Sequence, residues 1–142
     1  RWYGAQIYYL GEVLREYFPE KAEEEFERLL GLWEIARADC IKERKGDLVI
    51  DADPKTIFEN LDMPYHTSWE TEIRDIEGGI EVDVAYCPLQ ETWNWIGEQT
   101  SSAVYCEHCY TNMFKSLNPK CNCEVAACRA KGADCCKIKI TV

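Results

Sequence analysis

The sequence predicts an α+β fold, an antiparallel sheet of about four strands built from two hairpins and covered by helices. Three observations carry this reading. Over residues 2–45 apolar side chains recur every three or four positions, the period of helices lying on a core. Gly78-Gly79 joins two alternating stretches, WETEIRDIE and IEVDVAYC. A second alternating pair, CEVAACRA and CCKIKITV, flanks a turn centred near Gly132. The order is therefore helix, helix, short helix, hairpin, helix, helix, hairpin, which makes an α+β architecture.

The first helix is expected over residues 2–18, with Ile7, Leu10, Val13, Leu14, Tyr17 and Phe18 on its stripe. Pro19 interrupts and suits the first turn of a second helix running to about Lys45. Phe26, Leu29, Leu30, Trp33, Ala36 and Cys40 form the second stripe, which makes Cys40 a buried core thiol. Glu20, Glu23, Glu24, Glu25 and Glu27 crowd the positive end of that helix and read as a solvated face. Asp53 as N-cap and Pro54 at the first position open a short third helix to Leu61.

The loop MPYHTSW follows and holds His66, one of only two histidines. In the strand after Gly79, Ile80, Val82, Val84 and Tyr86 alternate with Glu81, Asp83 and Ala85, so one face is buried. Cys87 ends this strand, and Pro88 opens a helix that closes on Gly97 and carries Trp93 and Trp95. One further helix, from about Ser101 to Leu117, contains Cys106, His108 and Cys109, and Asn118-Pro119 stops it. On the last strand Cys136, Ile138, Ile140 and Val142 share a face.

Composition bounds the function. At 142 residues the chain reads as a single domain, 1–142, with a helical part at 1–62 and a sheet and cysteine-rich part at 69–142. The net charge of −10 argues against a nucleic-acid binder, because phosphate contacts need a basic face. No apolar run approaches the roughly 20 residues that span a bilayer, so no membrane partner is expected. The chain opens on Arg1 without a signal-like segment, which fits a trimmed or partial chain whose targeting information lies elsewhere. Nine cysteines are an odd number, so they cannot all pair internally, and reduced thiols in the cytoplasm are the expectation.

Seven of these cysteines fall between Tyr105 and Val142, at 106, 109, 121, 123, 128, 135 and 136. Cys106-x-x-Cys109 with Cys121-x-Cys123 supplies four thiolates, a donor set for zinc or for an iron–sulfur cluster. Cys128 and Cys136 are equidistant from Gly132, so a regular register makes them cross-strand neighbours roughly 4.5–5.5 Å apart. That spacing suits a shared metal or a strained disulfide. Redox cycling of Cys106/Cys109 or of vicinal Cys135-Cys136 is a further reading.

The run from Cys128 through Gly132 and Cys136 to Ile138 resembles the closing motif of the 4-vinyl-reductase-like domains. The preceding half, with Cys87 ending a strand, a helix closing on Gly97 and the later Cys106, resembles the related L-2-amino-thiazoline-4-carboxylic acid hydrolase-like family. The first resemblance implies an α+β domain that binds a small, partly apolar molecule as sensor or carrier and holds a structural zinc. Carried over by position, Cys128 and Cys136 match the two hairpin ligands, and Cys106 or Cys109 the upstream thiol. Val125 stands where the motif has an acid, and Glu124 falls on the opposite strand face. A second helix cysteine in place of the acid gives the expected ligand set Cys106, Cys109, Cys128 and Cys136.

The second resemblance implies a thiol attacking the amidine-like carbon of a small sulfur-containing ring. Cys106, Cys87 and His66 are the candidate catalytic residues, although His108 lies two helix positions from Cys106 and points away from it. Tyr8, Tyr9, Tyr65, Trp69, Trp93 and Trp95 are candidate pocket residues, and such domains also suggest a homodimer. Cys121, Cys123 and Cys135 are held in reserve for a second site.

Overall fold

The computed structural model describes residues 2–62, 69–97, 100–108 and 110–142, without the side chains of residues 2 and 100–102. The long helices α1 (Trp2–Tyr17) and α2 (Ala22–Lys45) come first, then the short α3 (Pro54–Glu59). The strands β1 (Glu70–Ile76) and β2 (Gly79–Tyr86) form the first hairpin. Three helices follow, α4 (Pro88–Ile96), α5 (Thr100–His108) and α6 (Thr111–Leu117). A second hairpin, β3 (Asn122–Ala127) and β4 (Cys136–Thr141), closes the chain.

The sheet order is β1-β2-β4-β3, every pair antiparallel, so the hairpins join through their second strands. The predicted α+β class and four-stranded sheet are what the structure shows. Ile80, Val82 and Val84 of β2 and Ile138 and Ile140 of β4 turn to the helices, where they meet Phe26, Leu30, Trp93, Met113 and Phe114 in one buried core. No helix among the described residues is long and apolar enough to cross a membrane.

Specific polar contacts dock the helices. The Trp93 indole N–H donates to the Gly4 carbonyl at 2.9 Å, seating α4 on α1. Arg37 of α2 makes a two-pronged contact with Asp62, at 3.0 and 2.6 Å, and its guanidinium lies over the Trp33 ring. Asp53 caps α3 by accepting from the amides of Lys55 and Thr56, as its position before Pro54 predicts. Gly97 ends α4 in the left-handed conformation, also as expected.

The structure corrects four local expectations. Cys40 is exposed, because the buried stripe of α2 runs through Phe26, Leu30, Glu34, Arg37 and Ile41 instead. Trp93 is fully buried but Trp95, two positions round the helix, is 78% exposed. The predicted single helix to Leu117 is two helices, with Tyr110 in non-helical geometry before α6. Its break comes from a distant residue: buried Glu34 of α2 accepts the Asn112 N–H at 3.0 Å, capping α6 from 78 positions away.

The fourth correction concerns strand alternation. Glu70 pairs with Tyr86 but Thr71 with Val84, so Ala85 is an extra residue in β2. Val125 pairs with Ile138 but Ala127 with Lys137, so Ala126 is an extra residue in β3. Each β-bulge reverses the faces beyond it. Tyr86 therefore turns outward, while Cys87 and Cys128 turn inward and are buried.

Glu34 lies entirely out of solvent, and burial raises its carboxyl to about 7, against the lowering by the Asn112 amide and by Arg37. A raised folded-state value means that this group favours folding fully below about pH 4.5, with the advantage lost as pH rises to about 7. Glu34→Gln keeps the acceptor for Asn112 and removes the titration. Urea melts should show it matching the parent near pH 4.5 and exceeding it by up to ~3 kcal/mol above pH 7.

Gly79 is demanded by space rather than by backbone freedom. A Cβ there would sit 2.0 Å from the Ile140 carbonyl oxygen and 2.9 Å from the Thr141 Cα. Gly79→Ala must push β4 away from β2, and should destabilise by about 1–3 kcal/mol in the same urea melts.

Candidate active site

The two bulges lie at the same end of the sheet and deliver Cys87 and Cys128 to one place. Cys136 reaches it directly from β4, where it pairs with Val84. Cys106 arrives from α5, which is tied to the 3-10 turn Arg129–Lys131 by a Lys131–Glu107 ion pair. Four sulfurs thus meet where sheet, helix and turn converge.

Within the group the sulfurs form a chain. The thiols of Cys106 and Cys136 both donate to Cys128, and these two contacts pull the Cys128 thiol far below its ordinary value. The amides of Ala130 and Lys131, within the 3-10 turn, add to that lowering against the cost of burial. Cys136 is pushed in the opposite direction, first by its bond to Cys128 and then by burial. Its sulfur also accepts the Arg129 N–H at 3.3 Å. Cys128 is therefore the sulfur of the pair most favoured as a thiolate.

Cys106 and Cys136 line a small cavity of about 40 Å³, together with Cys87. Trp69, Tyr105 and Tyr110 supply aromatic walls, and Val84, Val125 and Ile138 aliphatic ones. That volume holds a few water-sized groups. Cys128 is buried behind this lining. Cys87 plays a distinct part: its sulfur caps α4 by accepting the Gln90 N–H at 3.5 Å, and burial pushes its thiol up to about 11.

The expected site residues divide accordingly. Cys87, Cys106, Cys128 and Cys136 come together, while Cys109, His66 and Tyr65 lie outside the described residues. Among the pocket candidates Trp69 lines the cavity; Trp93 is core, and Tyr9 and Trp95 are exposed. Tyr105 and Tyr110 were not singled out from sequence, although both flank the Cys106-x-x-Cys109 motif. His108 faces Glu27 of α2, with 3.7 Å between its Nε2 and the Glu27 Oε1.

Cys121 and Cys123 stand apart near the start of β3, their thiols raised to about 11 and about 12, chiefly by burial. Cys135 borders a separate, acidic recess beside Glu70, Glu72 and Asp83. Among the described residues, no group of three or more His, Cys, Asp or Glu side chains is arranged to hold a metal ion.

An α+β scaffold gathers Cys87, Cys106, Cys128 and Cys136 beside a small cavity with aromatic walls. The chain belongs to the family described as L-2-amino-thiazoline-4-carboxylic acid hydrolase, which matches residues 2–140. No curated protein and no solved structure matches the chain.

The lowered Cys128 thiol has a direct chemical consequence. At pH 6 an ordinary thiol, with a pKa of about 8.5, is almost wholly protonated. Iodoacetamide should nonetheless label one sulfur of the Cys106–Cys128 pair in the folded protein faster than it labels glutathione, leaving Cys87, Cys121 and Cys123 unmodified. Peptide mass mapping reads this, and Cys128→Ser should abolish the rapid labelling.

Proposed function

We propose that this protein is a cysteine-dependent hydrolase acting on a small cyclic amidine such as a 2-aminothiazoline carboxylate. The observation that carries this reading is the Cys106 thiol, which lines the cavity while donating to the charged sulfur of Cys128. The family's printed description supplies the substrate class.

In this mechanism Cys128 is the base and Cys106 the nucleophile. As the Cys106 sulfur bonds to the amidine carbon, its proton passes to Cys128. The ring carbon–sulfur bond then breaks, and the departing sulfur takes that proton back from Cys128. The substrate is now joined to Cys106 through an S-linked amidinium. Cys128, again anionic, takes a proton from water as its oxygen attacks the same carbon. The bond to Cys106 breaks, its departing sulfur takes the proton back from Cys128, the hydroxyl proton of the new carbamoyl group passes to solvent, and the ring-opened carbamoyl product leaves. The cavity accepts the reacting end of the substrate, and the aromatic walls of Trp69, Tyr105 and Tyr110 flank it. Cys136, hydrogen-bonded to Arg129, stabilises the charge on Cys128 without leaving its place.

Eight described cysteines are free, which supports placement in a reducing compartment such as the cytoplasm. A second reading keeps zinc as a structural ion on Cys106, Cys128, Cys136 and Cys109. Its support is the meeting of the first three thiols, together with the resemblance of the closing hairpin to the 4-vinyl-reductase-like motif.

Steady-state hydrolysis of 2-aminothiazoline-4-carboxylate is the test, with elemental analysis of the same samples. Cys106→Ser should lower kcat by at least about a hundredfold. Cys128→Ser should shift the activity profile to higher pH, and Cys40→Ser should change neither. Stoichiometric zinc in a protein that hydrolyses no cyclic amidine would replace the enzyme reading with the metal-stabilised one.

A further inference from the structure

We infer that the outer face of the α1–α2 hairpin is the interface through which two copies of this chain associate. An apolar groove of about 460 Å³ runs between the two helices, lined by Ile7, Leu10, Phe26, Leu29, Leu32 and Trp33 among others. Beside it stands a ridge on α1: Tyr9, Val13 and Tyr17 follow one another at four-residue spacing, and Tyr17 is 66% exposed. Across the groove Leu32 is 61% exposed. A groove and a ridge on one face are what a twofold interface requires, because each copy then offers what the other accepts.

The area is of the right order for a dimer. Tyr9, Leu10, Val13, Tyr17, Leu29 and Leu32 are about half exposed on average. At roughly 150–250 Å² for a large side chain, they present roughly 600 Å² per copy, against about 800 Å² per partner in a standard interface. Patches of this size on a monomer commonly mark an interaction site.

Charge selects the occupant. A lipid surface would need a basic rim, but the acids Glu23, Glu24 and Glu25 open α2 and the whole chain carries −10. The six patch residues are themselves uncharged. Two like copies can therefore bury these six side chains against one another without burying an acid.

Sedimentation velocity of the full chain under reductant, over a concentration series, tests this without reference to activity. The parent should sediment as a dimer at micromolar concentration. Leu32→Glu and Val13→Glu, both at exposed positions, should each raise the dimer dissociation constant by roughly 30-fold or more. Circular dichroism checks that both variants are folded. A parent that stays monomeric at hundreds of micromolar overturns the proposal, as does a dimer insensitive to both substitutions. So does a monomer that floats with phosphatidylcholine vesicles and loses that property in Leu32→Glu, because lipid is then the occupant.

Discussion

The site depends on two extra residues in the sheet. Ala85 in β2 and Ala126 in β3 each interrupt the pairing by one position. A one-residue slip turns every following side chain to the other face. Without the bulges Cys87 and Cys128 would point away from the helices, and Tyr86 would enter the core. With them, both cysteines join Cys136 on the buried face, and α5 brings Cys106 down upon them. Val125 shares that face with Cys128 at a spacing of three, which regular alternation forbids and a bulge between them permits.

A second constraint fixes the helices above the sheet. Glu34 gives up solvent entirely to cap α6, and its cost is visible in the raised carboxyl value. In return α2 and α6 approach closely at Gly31, where a Cβ would lie 2.9 Å from the Asn112 side-chain nitrogen. The cap sets the break after α5, and so places Tyr110 in the cavity wall and Cys106 beside it. Tyr105 is held in turn between Trp33 and Trp93, with ring centroids 6.2 and 5.6 Å away. The cavity is thus bounded by residues whose own positions are fixed by packing and by buried hydrogen bonds.

Buried polar groups of this kind are costly unless paired. Here the surroundings decide the sign of each shift. Two thiols and the amides of a 3-10 turn face Cys128 and pull its thiol far below the ordinary value. Cys87 is faced by the Gln90 and Leu89 amides, but burial outweighs them and pushes its thiol up to about 11. Neighbouring sulfurs of one chemical kind are therefore shifted in opposite directions by their surroundings.

The sequence by itself determined the class of fold, both hairpins, the ends of most helices and the meeting of Cys128 with Cys136. These follow from local periods, from Asp53-Pro54 and Gly97 as caps, and from symmetry about Gly132, all of which act over a few residues. It also offered Cys106, Cys87 and His66 as catalytic candidates and Cys109 as a fourth metal ligand, of which His66 and Cys109 lie outside the described residues. The tertiary structure decided that Cys106 and Cys87 join Cys128 and Cys136, and which thiol is lowered and which are raised. A bulge leaves no mark in an alternating pattern, and a cap supplied from 78 positions away leaves none near the helix it starts. The exposure of Cys40, the separation of Cys121 and Cys123 from Cys106, and the entry of Tyr105 and Tyr110 into the cavity are consequences of those long-range contacts.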